Sequence, residues 1–246
     1  MRTLLALGAA LLSLLQTPAP AAPAAPPVPL PARMADTGGG SQLITAEAAG
    51  LGSTTGTVTW WERRSGTWVR AGSAPARFGA KGLAEGRTRR QGTNTTPTGL
   101  YDLPYAFGIR PAPAGTAYRY ARVTARSWWC QDNASGAYNR WVEGLPKDCR
   151  AAEAERLADY RSQYAHALVI GFNYDRPVRG RGAGIFLHVN GAGATAGCVS
   201  VPAAGGGGGR GGGGAGPPPP PPGGPPGGAP ALTRDGRGRC TGTGPP

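Results

Sequence analysis

The sequence predicts a mainly β domain, a β-sandwich or barrel-like assembly with one or two short helices. Three observations predict it. Short β-prone runs recur between Gln42 and Val201, many alternating apolar with polar residues. Turn-forming Gly, Pro, Asn and Ser residues punctuate those runs. Only one segment, Ala151 to Tyr160, has convincing helical spacing, with Ala151, Ala154, Leu157 and Ala158 on one face.

The elements follow in order. Residues 1–25 read as a secretory signal peptide: Arg2 supplies the positive start, Leu4 to Leu15 is apolar but too short to span a bilayer, and Ala22-Pro23-Ala24-Ala25 offers A-x-A cleavage. An uncleaved tether is the alternative, and no later segment is apolar enough for stable membrane insertion. Residues 26–41 form a Pro/Ala linker, expected to be extended and unpacked. Thr57 to Glu62 and Thr67 to Ala71 predict a hairpin turning at Ser65-Gly66, and Arg77 to Gly82 a further short strand or turn. Glu85 to Thr96 is polar and arginine-rich, hence a loop. Thr96-Pro-Thr-Gly is a turn feeding the strand Leu100 to Leu103. Tyr118 to Thr124, Ala165 to Asn173 and Gly184 to Asn190 read as strands. From Ala203 the composition collapses to Gly, Pro and Arg, so residues 203–246 are expected to be disordered. The folded unit is residues 42–202, ample for one core.

Charge narrows the partners. With 26 Lys+Arg against 13 Asp+Glu the net charge is +13, which favours anionic partners. No helix-turn-helix, zinc-finger or RNA-binding sheet signature accompanies it, so nucleic acid is not expected. An export signal points instead to anionic wall polymers. Of the four cysteines, Cys130 and Cys149 most simply pair in an oxidising compartment, closing a loop worth about 3 kcal/mol by chain entropy. Cys198 and Cys240 remain, and a bond between them competes with a chemical role for Cys198.

The chemistry concentrates between Gly184 and Pro202, GIFLHVNGAGATAGCVSVP. His188 ends an apolar run, and a loop of small residues leads to Gly197-Cys198 and the β-prone Val199 to Val201. An imidazole at a strand end and a thiol ten positions on, joined by a loop that can fold back, can meet in space. That is the minimum for an activated nucleophile, since a neighbouring imidazolium lowers the thiol pKa. Gly197 opens the approach, and the backbone N–H groups of Gly197 and Cys198 can face an oxyanion. No carboxylate lies within this stretch, so His188 needs a backbone carbonyl or a distant side chain to orient it. A buried core thiol beside a strand histidine is the bland alternative.

Thr96-Pro-Thr-Gly-Leu-Tyr101, His166 to Asn173, and His188 with Thr195-Ala-Gly-Cys-Val-Ser200 together resemble the YkuD-type L,D-transpeptidase domain of bacterial cell-wall enzymes. The resemblance covers Gln42 to Pro202. It implies a secreted, β-sandwich-like enzyme without cofactor, whose cysteine is acylated by a peptidoglycan stem peptide at an L-configured diamino-acid centre and then passes the acyl group to an amine of another stem. It also implies acylation by β-lactams of the carbapenem type. Cys198 matches the nucleophile, His188 the base and the Val189 carbonyl its orienting group. Gly197 and Cys198 match the oxyanion donors, and Thr195 the Ser/Thr opening the motif. Ala196 stands where the family usually has a second histidine, the His-to-Cys loop is short, as in an actinobacterial-type TAGC subgroup, and the Gly/Pro tract replaces downstream packed sequence. A reading-frame slip would produce such a tract.

Tyr101, Trp128 and His166 are candidates for the wall of a substrate groove, with core packing as the alternative. The arginines of Glu85 to Gln91 and Asp175 to Arg181 are solvated loops or contacts for anionic polymer. Two histidines and four cysteines, two of them expected to pair, give no zinc-ligand spacing, so no metal is expected. Three functions stay open: an L,D-transpeptidase, a cysteine carboxypeptidase or endopeptidase of the same substrate, and a non-catalytic wall-binding protein.

Overall fold

The computed structural model describes residues 28–116, 118–203 and the backbone of 231–234. The signal peptide and most of the Gly/Pro tail lie outside the described residues. The chain is mainly β, and its strands are β1 (Gln42–Ala48), β2 (Thr55–Arg64), β3 (Thr67–Arg77), β4 (Leu83–Glu85), β5 (Thr96–Thr98), β6 (Leu100–Tyr101), β7 (Ala106–Gly108), β8 (Tyr120–Arg122), β9 (Ser127–Cys130), β10 (Arg140–Glu143), β11 (Ala154–Arg156), β12 (Ala167–Val169), β13 (Phe186–Val189), β14 (Val199–Val201) and β15 (Ala231–Arg234). Ten form one mixed sheet in the order β6-β15-β1-β2-β3-β14-β13-β12-β7-β8, while β10-β9-β11 make a second sheet and β4-β5 a third.

The expected hairpin is β2–β3. Ser65 and Gly66 take φ of 47° and 82° and connect Arg64 to its partner Thr67. Positive φ at both central residues is the two-residue turn whose twist suits adjoining strands. A register shift follows at Trp60/Trp61.

Central strands β12 and β13 are covered on both faces, which is why they read as nearly unbroken apolar runs. Period-2 alternation splits them between two cores. Leu168, Ile185 and Leu187 join Ile44, Val58, Phe78, Val199 and Val201 on one side. Ala167, Val169 and Phe186 join Phe107, Trp129, Leu157 and Tyr164 on the other, where the small sheet packs. Phe107, Trp129 and Tyr164 meet Phe186 edge-on, with ring centroids 4.9 to 5.6 Å apart.

Three expectations need correction. Ala151 to Tyr160 is not an α-helix but a 3₁₀ turn (Ala151–Glu153), strand β11 and a second 3₁₀ turn (Leu157–Asp159). The disulfide Cys130–Cys149 explains the override. It returns the chain beside β9, and the bare edge of β9 then captures Ala154–Arg156, with Ala154 opposite Cys130. The linker is packed in part: Leu30 and Pro31 are buried in a 3₁₀ turn, and Leu30 covers Leu43, Trp61 and Trp68. Within the tail, Ala231–Arg234 forms a strand parallel to β1 and antiparallel to β6, where it pairs the outer edge of β1.

Candidate active site

The sheet register brings His188 and Cys198 to one place. Strands β13 and β14 run parallel, with Leu187 opposite Val199 and His188 opposite Ser200. Extended by one step, that register sets Cys198 beside Phe186, two residues from His188 and therefore on the same face. Contacts agree: the Phe186 N–H points at Cys198 Sγ (3.4 Å), and the thiol reaches the Gly184 carbonyl at 3.4 Å. Both His188 and Cys198 line a cleft of about 500 Å³.

His188 Nδ1 lies 2.7 Å from the Val189 carbonyl. A carbonyl oxygen only accepts, so Nδ1 carries the proton and Nε2 keeps its lone pair. Tyr164 packs edge-on against the ring, centroids 5.5 Å apart. Burial lowers the imidazole pKa, opposed by the Val189 contact, so the ring is neutral near pH 7. The cysteine departs from expectation. Burial first, and the nearby Glu155 charge second, push the thiol up to about 12, against the opposing Phe186 N–H and Arg89. Both shifts favour the uncharged forms, a neutral thiol and a neutral imidazole in one cleft.

Thr96 and Thr195 fix the Cys198 backbone. The Thr195 hydroxyl donates to the Cys198 carbonyl at 2.6 Å and accepts from the Gly197 N–H at 3.1 Å. The Thr96 hydroxyl donates to the same carbonyl at 3.3 Å and accepts from the Gly79 N–H at 2.9 Å. Each hydroxyl thus uses its donor on Cys198 and a lone pair on a glycine amide. This joins the Thr-Pro-Thr-Gly turn physically to the Gly-Cys motif. It also narrows the expected oxyanion donors, since the Gly197 N–H is engaged by Thr195. Gly197 has φ of +146°, and a Cβ there would meet an Arg89 nitrogen at 2.7 Å and the Thr95 carbonyl at 3.0 Å, so only glycine fits. Backbone bonds Thr195 N–H to Phe78 and Ala80 N–H to Thr195, both 2.8 Å, pin the loop.

Two charged residues of the cleft escaped the sequence reading. Arg89 is 6 % exposed, donates to the Thr95 carbonyl (2.7 Å) and the Arg181 carbonyl (3.2 Å), and stacks over Phe172. Burial lowers its pKa, and a Cys198 thiolate would counter that. Glu155, on β11, accepts from the Tyr164 hydroxyl at 2.5 Å and from the Gln131 amide at 3.2 Å. Burial raises its carboxyl to about 7, partly offset by the Tyr164 bond. Nothing in the local pattern separates Arg89 from Arg87 and Arg90, and Glu155 was hidden by the helical spacing of its segment.

The groove candidates lie elsewhere. Tyr101 donates to the Thr98 carbonyl at 2.6 Å and packs edge-on to Phe172 in the first core. His166 contacts the Pro111 carbonyl at 3.0 Å, at the entry to β12. Trp128 alternates with buried Trp129 on β9 and pairs with Val142 and Arg156. None of the three lines the cleft. Cys130 and Cys149 are bonded to each other, and among the described residues Cys198 is a free thiol; Cys240, its alternative partner, lies outside them. Among the described residues no cluster of three or more His, Cys, Asp and Glu could hold a metal ion, and no helix is long and apolar enough to cross a membrane.

No family model matches the chain, and no curated protein matches it.

Proposed function

We propose that the chain is a secreted cysteine acyltransferase of the L,D-transpeptidase kind, acting on peptidoglycan stem peptides outside the cytoplasm. One observation carries the reading: the Val189 carbonyl locks His188 as an Nδ1–H tautomer, leaving its Nε2 lone pair for a free thiol on the same sheet face in the same cleft. The disulfide supports an oxidising compartment.

In this reading the Cys198 proton passes to His188 Nε2 as Sγ bonds to the carbonyl carbon of the third stem residue. The C–N bond to the terminal D-residue then breaks, and His188 returns the proton to the departing amine. Proton transfer in step with attack suits a thiol whose own pKa is high. Arg89 and the Cys198 N–H supply positive potential for the developing charge. An amine of another stem then displaces the thiolate.

The test is intact-mass spectrometry with a carbapenem, followed by product analysis on disaccharide-tetrapeptide. The expected result is one adduct per chain, absent in Cys198→Ser and slowed at least 100-fold in His188→Ala, and a cross-linked product. A folded protein that takes no adduct overturns the reading. Trimmed stems without cross-links transfer the site to a hydrolase.

A further inference from the structure

Glu155 and Arg89 are charged residues of the cleft, and among the described residues neither forms an ion pair. The chain is strongly basic, with 26 Lys+Arg against 13 Asp+Glu. Yet among the described residues no cationic side chain lies within 4 Å of the Glu155 carboxylate; the four ion pairs involve Glu62, Glu85, Asp132 and Asp159. Its fixed partners are the uncharged Tyr164 hydroxyl and Gln131 amide. Both hold the carboxylate in place and neither neutralises it. A partly buried carboxylate without a counter-charge is costly and is kept where a ligand supplies the cation.

Position restricts that ligand. Gln131, Glu155, Tyr160, Tyr164, His188 and Cys198 line the same cleft, which Arg89 also borders. Arg89 disfavours a cation on its own side, and Glu155 and Glu153 are the anionic groups of the lining. Glu155 is also near enough to Cys198 for its charge to hinder thiol ionisation.

We propose that Glu155, held by Gln131 and Tyr164, is the subsite for the primary ammonium of the acyl acceptor and takes its proton before attack. The proton-transfer role rests on the acyl-transfer reading above; the ammonium subsite stands on the cleft alone. The acceptor enters as R–NH₃⁺ and gives one proton to the Glu155 carboxylate. The neutral nitrogen then attacks the Cys198 thioester carbonyl carbon, forming a C–N bond. His188 Nε2 takes the second nitrogen-bound proton as the C–S bond breaks and returns it to the Cys198 sulfur. Glu155 releases its proton to solvent. A carboxyl that titrates near 7 suits this exchange with an amine. Tyr160, Tyr164, Cys198, His188, Glu153 and Arg89 are the other titratable or charged groups of the cleft. Only His188 among them has an ordinary pKa near the working range, and burial moves it downward.

The experiment uses Nα-acetyl-lysine amide, which carries one ammonium and is otherwise neutral, with its norleucine counterpart as the uncharged control. Binding is followed by calorimetry or NMR on wild type, Glu155→Gln and Glu155→Asp. The amide keeps the side-chain shape. It also removes a raised carboxyl whose ionisation costs stability as pH rises from the ordinary Glu value toward 7, so E155Q should melt no lower than wild type at pH 8. The expected result is saturable binding of the lysine amide to wild type, weakening as pH falls below 7, at least tenfold weaker in E155Q and intermediate in E155D. The norleucine amide should bind all three poorly and equally. In E155Q, transfer from the Cys198 thioester to amine should fall at least tenfold and lose to hydrolysis. Equal lysine-amide binding by wild type and E155Q, or none to wild type, overturns the subsite. If binding depends on Glu155 but Cys198 takes no carbapenem, the acyl-transfer reading falls and the ammonium subsite stands.

Discussion

His188 and Cys198 are positioned by backbone geometry before any side-chain chemistry is considered. Residues 186 and 188 share a strand face, and parallel pairing brings Cys198 alongside that face. This much was legible, because an apolar strand, a loop of small residues and a second β-prone run leave few ways to pair. The protonation state was not legible, since it depends on how much protein surrounds the sulfur and on Glu155, which is distant in sequence. A raised thiol pKa means that thiolate is scarce at neutral pH and grows as pH rises. Alkylation of wild type by iodoacetamide should therefore be slow at pH 7 and keep increasing through pH 10 without a plateau. Mass mapping to Cys198 against pH checks this. A plateau reached by pH 7 would mean a stable thiolate and would reverse the proposed order of proton transfer.

At the level of elements, the candidate site is a junction of four segments: β13 carries His188, the 191–198 loop Cys198, β5 Thr96 and β11 Glu155. The Thr-Pro-Thr-Gly turn could be seen in the sequence, but its connection to Cys198 could not, because a hydrogen bond across 102 positions leaves no local pattern. The opposite failure occurred at β11. Ala151, Ala154, Leu157 and Ala158 are spaced for a helix, and the disulfide with the open edge of β9 overrode that preference. The clamp makes a sharp prediction. Thr96→Val keeps the shape but removes a donor to the Cys198 carbonyl and orphans the buried Gly79 N–H. It should cost about 1–3 kcal/mol of stability and slow carbapenem acylation, whereas Thr96→Ser should stay near wild type in both. Chemical denaturation and adduct kinetics read the two effects separately. Loss of stability with unchanged acylation would leave Thr96 a fold residue only.

Across the whole molecule, charge and fold make separate contributions. The large sheet carries the two cores, and the disulfide-bearing small sheet closes one side of the cleft. The net charge of +13 enters neither. The described ion pairs are mostly on the surface; Asp132 alone is fully buried, and its bonds from Arg150 hold that carboxyl well below the usual range. Among the described residues most arginines lie in no ion pair, and their field extends into solvent, where salt screens it over about 8 Å at physiological ionic strength. The proposed cleft chemistry relies instead on charges inside the protein, which salt reaches far less. The two should separate experimentally. Retention on an anionic wall polymer, such as immobilised teichoic acid, should be strong at 50 mM salt and lost by about 0.5 M, where the screening length falls to a few ångström. Carbapenem acylation of Cys198 should change less than threefold over the same range. Retention that survives 0.5 M salt would point to a built polymer site rather than to net charge, and acylation that collapses with salt would place Arg89 and Glu155 in contact with solvent rather than in a shielded cleft.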